Sequence, residues 1–363
     1  MQAPELTIVL PAYNESKNIK PLVDKIAQAM GSITHEVIVV DDNSPDDTAG
    51  ITRNLVSEYP HIRCIRRIGR RGLSGACLEG MMAANAPVVA VMDADMQHDE
   101  TRLPVMLDEI KNGADLVIGS RYVDGGDHKA GFQQKSRAKG SEIATSMANY
   151  ITGNYTSDPM SGFFMLTRQT ADKAAETVSK DGFKILFDIV SRFGENLTIK
   201  EVPFQFRERA EGESKLGFLV TLQFFGLLVS RFTGGLIPMR FMLYALVGFS
   251  GLFVHMATLF ALFYGAGVDF AVAQFAGAFA AMTSNFALNN SVTYAHRKLK
   301  GNQFWVGLFT FYAVCSIGAL ANVSIAQSLF ELRQSTWFAG LAGALMNTVF
   351  NYAVTKLVTW RDT

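Results

Sequence analysis

The feature that most constrains the fold of this chain is an apolar run that ends in two aspartates. Residues 88–97 read VVAVMDADMQ, so Val88–Met92 is followed at once by Asp93 and Asp95. A short, continuous apolar run is typical of a strand buried on both faces of a parallel sheet. Such a sheet binds ligands at the carboxyl ends of its strands, which is where the two carboxylates fall. A surface acidic turn is the alternative for an isolated Asp-x-Asp pair.

Apolar runs and helical patterns alternate through the first part of the chain. This alternation predicts a doubly wound, mostly parallel α/β sheet with right-handed crossovers. No GxGxxG follows the first strand and no GxxxxGK[ST] occurs, which argues against a dinucleotide fingerprint and a P-loop. The predicted strands are 6–10, 36–40, 62–65 and 88–92, and the predicted helices are 18–30, 48–59 and 73–85.

Charge is balanced over the whole chain but is unevenly distributed. Lys plus Arg and Asp plus Glu number 33 each, which argues against nucleic acid as a partner. Most charged residues precede residue 216, and the chain is mainly apolar after it. Cys64, Cys77 and Cys315 lie far apart and match no metal-binding pattern. We therefore expect them to be reduced thiols in a cytosolic setting.

Four apolar segments in the last third of the chain each exceed the ~20 residues that a membrane-spanning helix needs. These segments are 241–264, 270–294, 304–330 and 337–358. Aromatic residues near their ends are expected at the membrane interface. These residues are Tyr264, Tyr294, Trp305, Trp337 and Trp360.

The basic residues between the apolar segments predict an orientation. The loop between the second and third segments holds Arg297, Lys298 and Lys300, whereas the loop 265–269 holds no Lys or Arg. The positive-inside rule then predicts an integral, multi-pass membrane protein whose N-terminal domain and C-terminus are cytoplasmic. The stretch 216–238 is apolar but interrupted, so we expect helices that lie at the membrane surface.

Several sequence motifs occur in an order that resembles a known family. They are PAYNE, VVDDNSPDDT, an Arg/Gly stretch, MDADMQHD, VIGSRYVDGG, DPMSGFFMLTR, GFKILFDI and EVPFQFRERAEGESKL. Together they resemble family 2 glycosyltransferases of the GT-A fold, and among them the polyprenol-phosphate (dolichol-phosphate) mannose synthases. The four apolar segments resemble the GtrA-like membrane domain. The resemblance implies a GT-A catalytic domain over 1–215, amphipathic interface helices over 216–238 and four transmembrane helices over 239–363.

The resemblance implies a role for particular residues. The nucleotide sugar is expected to contact the PxYNE loop, the end of the second strand and the DADxQ element, namely Pro11, Tyr13, Glu15, Val40, Asp42, Asp93, Ala94, Asp95 and Gln97. Asp93, Asp95 and Gln97 are expected to hold Mg²⁺ or Mn²⁺, which prefer such oxygen ligands. The expected phosphate-binding cations are Arg121, Arg209 and Lys215, with Arg137 added for the acceptor phosphate and Arg207 as a further alternative. Asp95, Arg121, Arg209 and Lys215 are the expected catalytic residues.

The implied reaction moves mannose from GDP-mannose to a dolichyl or undecaprenyl phosphate. The second pKa of a phosphate monoester is about 6, so the acceptor is an ionised nucleophile that needs no general base. A single in-line attack would invert the anomeric carbon and give a β-linked product. UDP-glucose is the alternative donor, and a lipid-linked sugar transporter is the alternative from another class. A processive polysaccharide synthase is disfavoured because no QxxRW string occurs.

The sequence leaves two possible roles open for Asp158 and two for the paired asparagines of the membrane segments. Asp158 either lines the sugar pocket or caps a helix. The i, i+4 pairs Asn285/Asn289 and Asn347/Asn351 each lie on one helix face. They either form a polar seam that touches the lipid phosphate or make hydrogen bonds between helices.

Overall fold

A seven-stranded sheet forms the middle of the first of two compact units into which the chain divides, Met1–Ser214 and Lys215–Thr363. The structure is a computed structural model that describes residues 3–125, 146, 148–150, 152–178, 184–207, 239–294, 297–333 and 336–361. The predicted interface helices 216–238 lie outside the described residues, as do Arg137, Arg209 and Lys215.

The sheet has the strand order β3-β2-β1-β4-β6-β5-β7. Its strands are β1 Leu6–Ala12, β2 His35–Asp41, β3 Ile62–Arg66, β4 Val88–Met92, β5 Leu116–Ser120, β6 Phe163–Thr167 and β7 Ile199–Pro203. Each of the four predicted strands is present. The helices of this unit that can be bounded within the described residues are α1 Ser16–Met30, α2 Thr48–Asn54, α3 Leu73–Ala83, α4 Leu103–Lys111, α5 Arg168–Thr177 and α6 Ile185–Phe193. The predicted helix 48–59 is shorter than expected and continues as a 3₁₀ turn over Leu55–Ser57.

The sheet is mostly parallel, as predicted, with one reversed strand. β1 pairs in parallel with β2 and β4, and β5 pairs in parallel with β7. β6 runs antiparallel to both of its neighbours, with Phe163 opposite Met92. The chain thus leaves β5 and enters β6 at the same end of the sheet. This reversal brings residues 158–162 to the edge where β1, β2 and β4 end.

Both faces of the sheet are covered, which explains the continuous apolar runs of the central strands. On one face Ile8 and Leu10 pack with Ile19 and Ile26 of α1. On the other face Val9 and Val40 pack with residues of α3 and α6. Cys77 belongs to this second core, and its burial raises the pKa of its thiol, as expected for an unreactive structural cysteine.

The second unit is helical. Its helices are α7 Met239–Phe260, α8 Phe270–Leu288, α9 Asn302–Arg333 and α10 Thr336–Val358, with π-helical turns at Ala261–Gly265 and Asn289–Thr293. α7 packs mainly on α8, and α9 packs mainly on α10. Within the described residues, two segments are apolar and long enough to cross a membrane, Arg240–Gly265 and Phe270–Thr293. The predicted number of four spans therefore stays a prediction.

Large apolar side chains cover the outside of the second unit. Phe249, Phe253 and Phe275 are each more than half exposed. Many exposed large apolar side chains are unusual on a soluble monomer, and they are stable in lipid. Trp305 and Tyr264 are also exposed, in keeping with a place at the interface.

Two of the predicted interfacial aromatics are instead part of the core. Trp360 is 1% exposed and Tyr294 is fully buried, and their rings stack with centroids 4.3 Å apart. The Trp360 indole N–H donates to Asn290 Oδ1 at 3.2 Å, so its polar group is satisfied inside the unit. The prediction for these two residues was wrong because position near a helix end does not show which face packs. The side chain of Trp337 lies outside the described residues.

Candidate active site

The polar residues singled out in the sequence meet at one end of the sheet. The carboxyl ends of β1, β2 and β4 are adjacent, since Ala12 is opposite Asp41 and Val9 is opposite Val91. The amino end of β6 joins them because that strand is reversed. A cleft at this edge is where open α/β sheets bind ligands.

The loop after β1 is held against the loop after β2 by backbone donors of the PAYNE motif and of Ser16, which follows it. Asn14 N–H donates to Ser44 Oγ at 2.9 Å, and Ser16 N–H donates to Asp46 Oδ2 at 3.0 Å. Glu15 N–H donates to Thr48 Oγ1 at 3.2 Å. Asn14 has a positive φ of 60°, which the tight turn requires and which Asn tolerates. The polar run of the second loop therefore fixes the first loop.

Tyr13 and Arg71 form a stacked pair beside this loop. The guanidinium carbon of Arg71 lies 4.7 Å from the centroid of the Tyr13 ring, and Arg71 Nη1 donates to the phenol oxygen at 3.1 Å. Both flat groups can stack on a nucleotide base. The sequence pointed to Tyr13 and to an Arg/Gly stretch, but it did not show that Arg71 is the partner of Tyr13.

Asp42 is buried and is already bound by protein donors. Arg67 Nη1 donates to its Oδ1, and Gly72 N–H donates to its Oδ2 at 2.7 Å. Burial raises the pKa of Asp42, while these donors oppose the increase. A carboxylate has about four acceptor positions, so room for a ribose or base donor remains. Asp42 thus also anchors the loop that carries Arg71.

Pro11, Val40 and Ala94 have buried side chains. Pro11 and Val40 are opposite each other in the sheet. They shape the floor of the site, so a contact from them to a nucleotide would be made by the backbone. Glu15 Oε2 accepts a hydrogen bond from Asn18 Nδ2 at 2.7 Å, which places this carboxylate at the start of α1.

The DADxQ element forms a tight turn after β4. Met96 has a φ of 66°, and Gln97 N–H donates back to Asp95 Oδ1 at 3.2 Å. Gln97 Nε2 donates to the carbonyl of Arg207 at 3.0 Å, which fixes the side-chain amide. Because Gln97 Nε2 makes this contact, the amide oxygen Oε1 points away from Arg207.

Gly162, at the entrance to β6, lies directly against Asp93. A β-carbon at Gly162 would collide with the Asp93 carboxylate, so only glycine allows this close approach. The DPMSGFF motif therefore supplies the space in which the Asp93 carboxylate sits.

The side-chain oxygens of Asp93, Asp95 and Gln97 are suited to a hard divalent cation. Such an ion commonly takes its remaining ligands from phosphate oxygens. Two carboxylates and an amide oxygen suit Mg²⁺ or Mn²⁺, and Mg²⁺ is commonly held by one or two carboxylates plus phosphate oxygens. Among the described residues no cluster of three or more His, Cys, Asp or Glu side chains could hold a metal by itself.

Arg121, one of the predicted phosphate-binding residues, is held by Asp158. Arg121 Nε and Nη2 each donate to a different Asp158 oxygen at 2.7 Å, and the Arg121 backbone N–H adds a third bond at 3.2 Å. Asp158 is completely buried. Asp158 therefore pairs with this guanidinium, a contact that neither sequence interpretation anticipated. Nη1 of Arg121 is the end of the fork away from this pairing.

Two further titratable residues lie near this pair. Lys184 donates to the carbonyl of Met160 at 3.1 Å, and burial lowers its pKa, with the Arg121 charge acting in the same direction and the Asp93 and Asp158 carboxylates opposing it. The GFKILFDI motif contains this lysine, but the sequence gave no reason to select it. His98 is buried and stacks on Phe163, and burial lowers its pKa to about 4, so it is neutral at pH 7.

Arg207 is part of a structural ion pair. Its guanidinium contacts Asp99 at 2.8 Å and Glu100 at 2.7 Å. These two carboxylates balance the charge of Arg207. The other predicted cations, Arg137, Arg209 and Lys215, lie outside the described residues, so their roles stay predictions from the sequence.

The two units match two protein families. Residues 7–174 match glycosyl transferase family 2, and residues 243–360 match the GtrA/DPMS transmembrane domain. The chain is therefore a glycosyltransferase with a membrane domain, which confirms the predicted resemblance.

Curated relatives cover most of the chain. A dolichol-phosphate mannosyltransferase from Pyrococcus furiosus is 32% identical over 98% of this chain and 99% of its own length. One from Mycosarcoma maydis is 35% identical over 67% of this chain and 85% of its own length. A polyprenol monophosphomannose synthase from Mycolicibacterium smegmatis is 31% identical over 58% of this chain and 80% of its own length. This chain belongs to the dolichol-phosphate mannosyltransferase family, within glycosyl transferase family 2.

Proposed function

We propose that this protein transfers mannose from GDP-mannose to the phosphate of a polyprenyl lipid, with inversion at the anomeric carbon, and releases GDP. The names of the relatives support mannose as the sugar and a dolichyl or other polyprenyl phosphate as the acceptor. The arrangement of donors at the carboxyl ends of the strands supports a nucleotide sugar as the donor.

The nucleotide is proposed to bind between the two loops that close over β1 and β2. The stacked Tyr13 and Arg71 offer flat surfaces for the guanine base. The free acceptor positions of Asp42 are suited to N–H or O–H groups of the base or ribose. Because Asp42 also binds Arg67 and Gly72, occupancy of this site would tighten the whole loop.

The diphosphate is proposed to lie over the DADxQ turn. Asp93, Asp95 and Gln97 would hold Mg²⁺ or Mn²⁺ there. The ion would neutralise the negative charge that develops on the leaving GDP. The chain holds this turn in place through the Gln97–Arg207 contact and through the close approach of Gly162.

The acceptor phosphate needs positive charge, because two anionic substrates must approach each other. Arg121 is oriented for this by Asp158, whose carboxylate also favours the charged guanidinium. We assign the same role to Arg137, Arg209 and Lys215. An ionised phosphate oxygen attacks directly, so the protein contributes position and charge rather than a general base.

The membrane domain would keep the isoprenoid tail in the bilayer while its phosphate reaches the catalytic domain. We propose four spans, with the catalytic domain, the loop that holds Lys298 and Lys300, and the C-terminus on the cytoplasmic side. The excess of basic residues in that loop supports this orientation.

The observation that carries the proposal is the convergence of Asp93, Asp95 and the Arg121–Asp158 pair at one end of the sheet. The test is transfer of labelled sugar to a short polyprenyl phosphate by the full chain. We expect transfer from GDP-mannose with Mg²⁺ or Mn²⁺ and loss of transfer with a chelator. Asp95→Asn, which keeps the side-chain size, should reduce the rate by about 100-fold or more.

Asp172→Asn is the matched control, since it removes the same charge from an exposed position on α5. It should retain full activity. Transfer from UDP-glucose alone would keep the mechanism and overturn mannose as the sugar. Undiminished transfer by Asp95→Asn would overturn the proposed metal site.

A further inference from the structure

The membrane unit contains an internal repeat that the catalytic function does not explain. The pattern Asn-x₃-Asn-x₃-Thr occurs twice. It lies at Asn285, Asn289 and Thr293, in α8 and the π-helical turn that continues it, and at Asn347, Asn351 and Thr355 in α10. A spacing of four places each set on one helix face. Each asparagine face also meets a glycine of the preceding helix, Gly251 in the first hairpin and Gly318 in the second.

The two asparagine faces line the same cavity. This cavity has a volume of about 420 Å³ and is lined by all four asparagines together with aromatic side chains that include Tyr244 and Phe311. Its size falls within the range of small-molecule sites. None of the described residues that line it carries a charge.

Among the described side chains, hydrogen bonds between helices do not account for these asparagines. Within the described residues, Asn351 Nδ2 donates to Asn347 Oδ1 on the same helix, and Asn289 Oδ1 accepts from Thr293 on the same helix. The Oδ1 atoms of Asn285 and Asn351 are buried and accept no hydrogen bond from any residue that the structure describes. Asn351 as a whole is only 8% exposed. Buried polar atoms without partners are uncommon in native proteins, so a donor is expected in the cavity.

Asn290, the residue next to this pattern, has a structural role instead. Its Oδ1 accepts from Leu299 N–H at 2.8 Å and from the Trp360 indole at 3.2 Å, and its Nδ2 donates to the Leu299 carbonyl at 3.2 Å. Asn290 therefore has its hydrogen-bonding partners inside the protein, whereas Asn285 and Asn351 each have a buried acceptor without a donor among the described residues.

We propose that this cavity binds the uncharged, hydroxyl-bearing sugar head group of a glycolipid. Amide groups donate and accept, as vicinal hydroxyls do, and aromatic faces pack against a sugar ring. A phosphate is poorly matched, because the lining offers no cation. A lipid-linked sugar also has access to a site inside a membrane unit through its tail. The inference concerns a second site and does not depend on the transfer reaction.

The test measures thermal stabilisation of the full chain in phosphatidylcholine nanodiscs by octyl β-D-mannopyranoside. Tetraethylene glycol monooctyl ether, which has the same tail and no sugar, is the reference amphiphile. We expect a saturable rise in Tm with the mannoside only. Asn351→Leu, and separately Asn285→Leu on the other hairpin, should weaken the apparent Kd by at least tenfold and leave the unliganded Tm near that of the wild type.

Asn290→Ala is the matched control: it should lower the unliganded Tm and retain the response to the mannoside. Equal stabilisation by the two amphiphiles would overturn the proposal, as would an unaltered response in both leucine variants. If the unliganded Tm of both leucine variants fell as much as that of Asn290→Ala, the amides of Asn285 and Asn351 would have a structural role. That result would also overturn the proposal. Transfer activity of Asn351→Leu on detergent-solubilised acceptor reports on the proposed reaction separately and should be retained.

Discussion

Among single residues, the pairing of Arg121 with Asp158 does most to define the site. Both side chains are removed from water, so the bidentate contact compensates for the burial of two charges. We expect Asp158→Asn to lower the stability of the protein by roughly 3 kcal/mol, since it leaves a buried guanidinium without its counter-charge. Transfer should also fall, because Arg121 loses the contact that orients it.

A comparison of kcat with the KM for the acceptor would separate these two effects. We expect Asp158→Asn to raise that KM at a temperature where the protein remains folded, as a positioning role requires. Glu79→Gln is a useful control, because that carboxylate also pairs with arginines but belongs to the Arg67–Arg70 cluster. A loss of stability in Asp158→Asn without any change in kinetic constants would restrict the pair to a structural role.

The sequence predicted the residues of this site that follow directly on strands. Asp42, Asp93 and Asp95 could be placed because each continues from an apolar run whose end faces the ligand edge. Arg71 and Lys184 could not be placed, because each reaches the site from a loop or helix start far along the chain. Only the folded sheet brings those segments together.

At the scale of elements, the first four strands were predicted, whereas β5, β6 and β7 were not. The direction of β6 was the hardest of these to foresee. Its sequence, FFMLT, is as apolar as that of β4, so composition does not show in which direction it runs. The direction depends on whether the chain returns to the far end of the sheet before the strand, which apolar periodicity cannot show. The reversal matters because it brings Gly162 against Asp93.

The end of α10 is joined to α8 by an aromatic cluster, which supports a prediction about stability. Trp360 stacks on Tyr294 and lies 5.5 Å from the Phe286 ring, and its indole donates to Asn290. Trp360→Leu should lower the stability of the membrane unit by about 3 kcal/mol, because it removes both the stacking and the hydrogen bond. The measurement is the Tm of the full chain in nanodiscs.

Trp305→Leu is the matched control, since this tryptophan is 58% exposed. An anchor at the membrane interface contributes little to internal packing, so its loss should change the Tm only slightly. Similar changes in Tm for the two variants would argue against a special role for the Trp360 cluster.

At the scale of the whole molecule, two families of domain are joined in one chain. Balanced net charge conceals this division, whereas the distribution of charge and apolar segments reveals it. Hydropathy predicts the membrane helices because a bilayer demands a minimum length of apolar helix. It cannot say what fills the space between those helices, since the asparagine cavity arises only when two hairpins pack together.

The orientation of the membrane domain can be tested with single cysteines introduced at exposed positions. We expect Lys300→Cys and Arg361→Cys to react with a membrane-impermeant thiol reagent only from the cytoplasmic side, and Ala266→Cys only from the opposite side, because basic loops remain in the cytoplasm. The reagent is applied to sealed vesicles of each orientation, and the wild-type chain, whose three cysteines are buried or half-buried, gives the background. Labelling of Ala266→Cys and Lys300→Cys from one side would mean that the segment between them does not cross the bilayer. That result would overturn the four-span arrangement, whatever the donor sugar is.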